Sequence, residues 1–191
     1  MTTTPDVDPR IERTRRVVLE AAAELIGECG FRGASIEAIS DRCGVARSTI
    51  YRHWPDRSEL LVESVQQRMG PRHAAPTGDL RADLIAVYRH LGHLISGRET
   101  GPMAAHFVAE STSDPEIAAL HAKFMAARRA EISGLIVAAV DRGDLAADTD
   151  ASQMTDDLTA AVFYRGLIRH EPIDDEWVEA HVDRWISHYS D

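Results

Sequence analysis

A chain of 191 residues with 44% apolar and 27% charged composition is an ordinary globular protein of one or two domains. It is too apolar for disorder, and its longest uncharged apolar run, Leu135–Val140, is far short of a bilayer span. Asp6 and Asp8 interrupt a start that has no apolar signal-peptide core, and Cys29 and Cys43 form neither a disulfide framework nor a C-x-x-C pair. A cytoplasmic protein with no membrane partner is expected.

The net charge of −10 is unevenly spread. Residues 1–70 hold 10 Arg against 11 acidic residues, a balance of −1, whereas residues 71–191 carry −9. Within 9–57 the balance is +2, so a local basic face on an acidic protein is available for phosphate.

The elements read as helix throughout, with no strand-like alternation and no internal repeat. Residues 1–8 read as a loose tail. Asp8-Pro9 supplies a cap and a first-turn proline, and Val18, Ala22, Leu25, Ile26 and Cys29 fall on one stripe of a helix that Gly30 closes. Phe31-Arg32-Gly33 then makes a short turn. Ser35 caps a second, short helix whose buried face is Ile36, Ile39 and Cys43, and Gly44 ends it. A third helix runs from Arg47 to Trp54 and stops at Pro55. Asp56 and Glu59 mark the start of a fourth, reaching about Met69. Residues 70–78 are the clearest linker in the chain. Beyond it, helices are expected near 79–96, 102–111, 114–142, 151–169 and 174–189.

Residues 35–57 carry the most information. Two short helices joined at a glycine, with Ile36, Ile39, Val45 and Ile50 setting their angle, form the helix-turn-helix pattern in which the second helix enters the DNA major groove. Its outer face presents Arg47, Ser48, Thr49, Tyr51, Arg52 and His53, all able to bond phosphates or base edges. Trp54 falls with Ile50 on the inward face and reads as core. Arg13, Arg15 and Arg16 on the first helix read as a solvated face.

The segments Gly30–Ser40 and Gly44–Leu60 resemble the tetracycline-repressor (TetR) family of bacterial regulators, specifically so over about residues 10–65. The resemblance implies an all-α fold with a three-helix DNA-binding head and a larger helical domain for ligand binding and dimerisation. It implies the boundaries 9–55 for the head, 56–69 for a connecting helix, 70–78 for the linker and 79–191 for the effector and dimer domain. It also places Ser35, Tyr51, His53 and Arg57 at phosphate-contacting positions, and Arg47, Ser48 and Thr49 where the recognition helix approaches bases. Ala46 stands where many members carry a capping Ser or Thr, and Pro55 replaces a common Lys. The expected partners are double-stranded DNA, a second copy of the chain and a small effector.

For the effector pocket the candidates are Tyr88, Met103, Phe107, His121, Phe124 and Phe163, large groups on helices of a bundle that also needs a core. The last two helices carry more apolar surface than one neighbour covers. Leu158, Val162, Trp177, Val182, Trp185 and Tyr189 are therefore the expected dimer contacts, in a four-helix arrangement about a two-fold axis. His90, His93, His106 and His121 are too scattered to suggest a metal site, and no cofactor is expected. Motifs for metalloproteases, hydrolases, nucleotide binding and di-iron bundles are missing, which leaves an enzyme reading without support. A helical adaptor that binds protein instead of DNA is the alternative reading.

Overall fold

The computed structural model describes residues 9–70 and 75–189, which contain nine α-helices, one π turn and no strand. The expected tail 1–8, the Asp8 cap and the 71–74 part of the linker lie outside the described residues. The helices are α1 (Pro9–Gly33), α2 (Ile36–Cys43), α3 (Arg47–His53), α4 (Arg57–Met69), α5 (Leu80–Ser96), α6 (Thr100–Ser111), α7 (Pro115–Arg142), α8 (Ala151–Phe163) and α9 (Asp175–Tyr189).

Two compact units emerge. One contains the chain up to Gly70 together with Pro102–Ala118, and the other contains Pro71–Gly101 and Ala119–Asp191. Most of α6 and the first turn of α7 therefore belong with the head, although sequence reading assigned everything after residue 79 to the effector domain. Periodicity shows which face of a helix is buried; it does not show against what.

In the first unit α1 packs on α2 and α4. Val18, Ala22, Ile26, Phe31, Ile39, Ile50, Leu60, Leu61 and Val65 are wholly buried there, with Trp54 almost so. As expected, the α1 ladder breaks at Gly30, whose φ of 76° and ψ of 178° interrupt the helix. The helical turn Phe31–Gly33 then resumes beyond it. A positive φ of this kind is strained for residues with a Cβ.

The second unit packs α5 against α8 and α9 around Leu84, Tyr88, Ile136, Met154, Leu158, Val162, Val178 and Val182. Cross-helix ion pairs join Arg81 to Asp183 at 2.6 Å and Arg89 to Asp175 at 3.2 Å. The helix expected over 151–169 ends at Phe163 and widens into a π turn, Tyr164–Ile168. Gly166 lies so close to α5 that a Cβ would come within 2.3 Å of Ile95 Cγ2. Arg165 leaves this turn to donate to the Pro172 carbonyl at 2.6 Å and to stack 5.0 Å over Trp177. Such single π turns recur at functional sites.

Candidate nucleic-acid interface

The α2–turn–α3 segment is built as its residue types dictate. Ser35 Oγ accepts the Ala38 N–H at 3.1 Å, capping α2. Gly44 ends α2 in the left-handed region at φ 71°, and its N–H returns to the Ser40 carbonyl. Ser40 Oγ donates to the Val45 carbonyl at 2.8 Å, closing the turn from the other side. Ile36, Ile39 and Ile50 are buried and set the angle between the two helices. No side chain caps α3, which begins after Ala46, so one of its free N–H groups lacks the partner that Ser or Thr would supply.

This arrangement leaves the outer face of α3 in solvent. Tyr51 is 51% exposed, Arg47, Ser48 and Arg52 are exposed, and Thr49 and His53 are half-buried. His53 lies edge-on to Trp54, with ring centroids 5.7 Å apart. Arg47 donates to Glu37 Oε1 at 2.6 Å, whereas Arg52 reaches no nearer than 3.5 Å to Thr49 Oγ1. These six side chains thus share one short helix and one accessible surface, with Ser35 at the adjoining helix start.

Trp54 is core, as its spacing with Ile50 indicates, and is 2% exposed. Its indole N–H donates to Glu63 at 2.8 Å, and Arg15 lies 4.6 Å over the ring while pairing with the same carboxylate at 2.6 Å. Arg15 is therefore a half-buried structural group, whereas Arg13 and Arg16 stay exposed.

Arg57 turns inward. Its guanidinium donates to the Ala34 carbonyl at 3.2 Å and to the Phe31 carbonyl, bracing the chain between α1 and α2. A phosphate contact is the expectation for Arg57; two of its donors are occupied by the Phe31 and Ala34 carbonyls, which are left free where α1 ends at Gly33.

The same break frees N–H groups, and a residue that sequence reading overlooked takes them. Glu110 of α6 accepts the Phe31 N–H at 2.9 Å and the Arg32 N–H at 3.2 Å. The carboxylate acts as an N-cap supplied by a different helix. Phe107, one turn earlier on α6, packs on Phe31 with ring centroids 5.0 Å apart. Arg32 also pairs with Asp114 at 3.5 Å, and Ser58 donates to Glu116, so α4 and the start of α7 join the same junction. The Asp114 carboxyl is held below the usual carboxylate range, chiefly by the Ile117 N–H at the start of α7.

The expected pocket residues divide between the units. Met103 and Phe107 are buried in the first. Tyr88, His121, Phe124 and Phe163 belong to the second, where Tyr88 is fully buried with its hydroxyl 3.0 Å from Thr159 Oγ1. Burial raises the Tyr88 phenol and lowers the His121 imidazole. Phe163 is half-buried against the core, and Phe124 carries Arg128 at 5.4 Å. His181, a further residue that sequence reading passed over, is 3% exposed. It bonds the Leu158 carbonyl through Nε2 at 2.9 Å and stacks on Trp177 at 4.8 Å.

The expected dimer contacts divide as well. Leu158, Val162 and Val182 have no exposed surface, being consumed by the second unit's own core, so they cannot face a partner. Trp177, Trp185 and Tyr189 remain half-buried, and the π turn adds Tyr164 and Ile168 at 57% and 66% exposure. Among the described residues no cluster of His, Cys, Asp and Glu could hold a metal ion, and no helix is long and apolar enough to cross a membrane.

Comparison with known proteins gives the same picture at both ends of the chain. Residues 18–63 match the family model of bacterial regulatory proteins, tetR family, and residues 74–185 match that of the tetracyclin repressor-like C-terminal domain. The HTH-type transcriptional regulator YdeS of Bacillus subtilis is 27% identical over 172 residues, covering 89% of this chain and 86% of its own. Among solved structures, the TetR family transcription regulator SCO0332 is similar at a TM-score of 0.68 and 29% identity, covering 92% of this chain and 97% of its own. A regulator from Saccharomonospora viridis, solved in complex with choline, has the same fold at a TM-score of 0.65 and 21% identity, covering 93% of this chain and 97% of its own.

Proposed function

Since the chain belongs to the TetR family of transcriptional regulators, we propose that it is a repressor that binds a palindromic operator as a homodimer and releases it when a small effector binds. The observation that carries this reading is the exposed polar face of α3, held at a fixed angle to α2 by Ile36, Ile39 and Ile50 about the Gly44 turn. Tyr51, His53 and Ser35 hold phosphates, which positions the head without reading sequence. Arg47, Ser48 and Thr49 face base edges, with Arg52 on the same surface. Arg57 contributes by holding the α1–α2 connection and offers its remaining N–H groups to the backbone of DNA.

Two copies join through Trp177, Trp185 and Tyr189 with Tyr164 and Ile168, whose apolar surface the chain itself leaves uncovered. A two-fold dimer places its recognition helices ~34–36 Å apart, one turn of duplex. The effector is held in the second unit by members of the set Tyr88, His121, Phe124 and Phe163. The choline complex of the Saccharomonospora viridis regulator supports a small-molecule effector for this fold. In this chain, however, the Trp177 ring is already engaged by His181 and Arg165.

Release is a population shift. An effector that favours one placement of α6 and α4 acts on the head through Glu110 and Arg57, which hold the N–H and C=O groups around Phe31. Selection from random duplex DNA tests the reading: it should enrich a palindrome with half-sites one helical turn apart. Enrichment of an unsymmetrical sequence, or of none, counts against it.

A further inference from the structure

The α3 face presents Arg47, which bonds the Glu37 carboxylate, and Arg52, which reaches the Thr49 hydroxyl. Its guanidinium donates to Glu37 Oε1 at 2.6 Å, although both side chains are largely in solvent, at 59% and 69% exposed. Such a pair adds little to stability. A carboxylate beside a surface that meets phosphates also weakens binding to any duplex by repulsion. Helix α2 gains from an acid in its first turn, but Ser35 already caps that end, so the helix does not depend on Glu37.

The pair bears instead on the orientation of Arg47. One N–H of Arg47 is engaged by Glu37 and the rest of its planar fork is held in a restricted range of orientations. A guanidinium held this way meets the paired acceptors of a guanine edge without first being ordered. A nearby phosphate can take it only by competing with Glu37. Resting on the reading that this face docks on DNA, we propose that Glu37 is a specificity-determining residue. It holds Arg47 for a base edge and away from phosphate, thereby lowering affinity for arbitrary DNA more than for the cognate site.

A double-mutant cycle on the full-length protein tests this, using the duplex enriched by wild-type selection and a scrambled duplex of equal length. Glu37→Gln should leave the melting temperature unchanged and tighten binding to the scrambled duplex. The ratio of enriched to scrambled affinity should fall about fivefold. In an Arg47→Ala background the same change should leave that ratio where Arg47→Ala alone puts it, because the guanidinium that Glu37 directs is gone. Repeated selection with Glu37→Gln should broaden one base position in each half-site.

Equal gains on both duplexes would overturn the inference, leaving Glu37 as simple repulsion. A fall in the ratio that persists in the Arg47→Ala background would also overturn it, since Glu37 would then act without Arg47. If wild-type protein enriches no sequence, the DNA-docking reading and this inference fail together, an outcome plainly different from the other two.

Discussion

The backbone N–H of Phe31 donates to Glu110 Oε1 at 2.9 Å, between residues 79 apart in the chain. With the Arg32 bond to the same carboxylate, it caps the turn that resumes beyond the break in α1, while Arg57 holds the Phe31 and Ala34 carbonyls at the end of that turn. The turn that leads into the helix-turn-helix is thus held by one acid on α6 and one base on α4. Removing the acid should loosen it. Glu110→Ala is expected to lose about 1 kcal/mol of stability, as for other N-caps. Glu110→Gln, which keeps an acceptor, should lose less. Urea denaturation measures the difference, and hydrogen exchange should show the Phe31 and Arg32 amides exchanging faster in the alanine variant. Unchanged exchange at those two amides would mean that Glu110 does not cap them.

Gly30 tests the same junction from the backbone. At φ 76° and ψ 178°, a region essentially confined to glycine, an alanine costs about 1–3 kcal/mol in conformation alone. Its Cβ would also come within 2.1 Å of Glu110 Oε1, displacing the cap. Gly30→Ala should therefore destabilise by more than the conformational term in the wild type, and by about that term in a Glu110→Ala background. Equal losses in both backgrounds would separate the glycine from the cap.

Arg57 should show two effects where sequence reading anticipates one. Arg57→Ala is expected to weaken binding to all DNA sequences alike and also to lower stability by about 1–2 kcal/mol, the modest value for charged hydrogen bonds at a half-exposed site. Tyr51→Phe, whose side chain stands in solvent, should weaken DNA binding with the melting temperature unchanged. A melting temperature for Arg57→Ala equal to wild type would remove its bracing role.

The contrast between Arg57 and Tyr51 shows what was legible in the sequence. Ser35, Gly44, Ile39, Ile50 and Trp54 behave as their spacing predicts, because capping, positive-φ turns and helical periodicity are local properties. The helices near 79–96, 102–111, 114–142 and 174–189 lie within two residues of those observed. Glu110 gives no local signal: an acid on a helix reads as solvated, and its partners are backbone groups freed by a break far away in sequence. For the same reason periodicity marks Met103 and Phe107 as buried without saying that they belong with the head. Leu158, Val162 and Val182 were expected to face a partner because helix spacing cannot distinguish a core of the same chain from a core shared between two. The π turn at 164–168 has no local signature, and the close approach of Gly166 to Ile95 that accompanies it is tertiary.

The buried His181 predicts a pH dependence. Burial lowers its pKa most, the Arg184 charge adds to that, and its bond to the Leu158 carbonyl opposes both. In the unfolded chain the imidazole titrates near ~6.5, so below that pH the unfolded state binds more protons. The contribution is therefore complete above about pH 6.5 and is lost as pH falls toward the lower folded value. Half-buried His121 is shifted in the same direction by burial and adds to the slope. The urea midpoint should drop between pH 7.5 and 5.5, and His181→Gln should flatten that drop. An unaltered slope in the variant would assign the dependence elsewhere.

For the dimer, Trp185→Ala and Ile168→Asp should both shift the protein toward monomer in light scattering, since Ile168 is exposed and Trp185 is only half-buried against the chain's own core. An unchanged mass for both would move the contact off α9 and the π turn.

The central claim, an operator-binding regulator acting through the α3 face, is tested most directly by fluorescence anisotropy. The probe is labelled DNA flanking the protein's own gene, at low and moderate salt, with unrelated duplex as competitor. Tight binding that weakens steeply with salt yet survives the competitor, and that Tyr51→Phe reduces, is the predicted result. An absence of salt-sensitive binding to any duplex would contradict it.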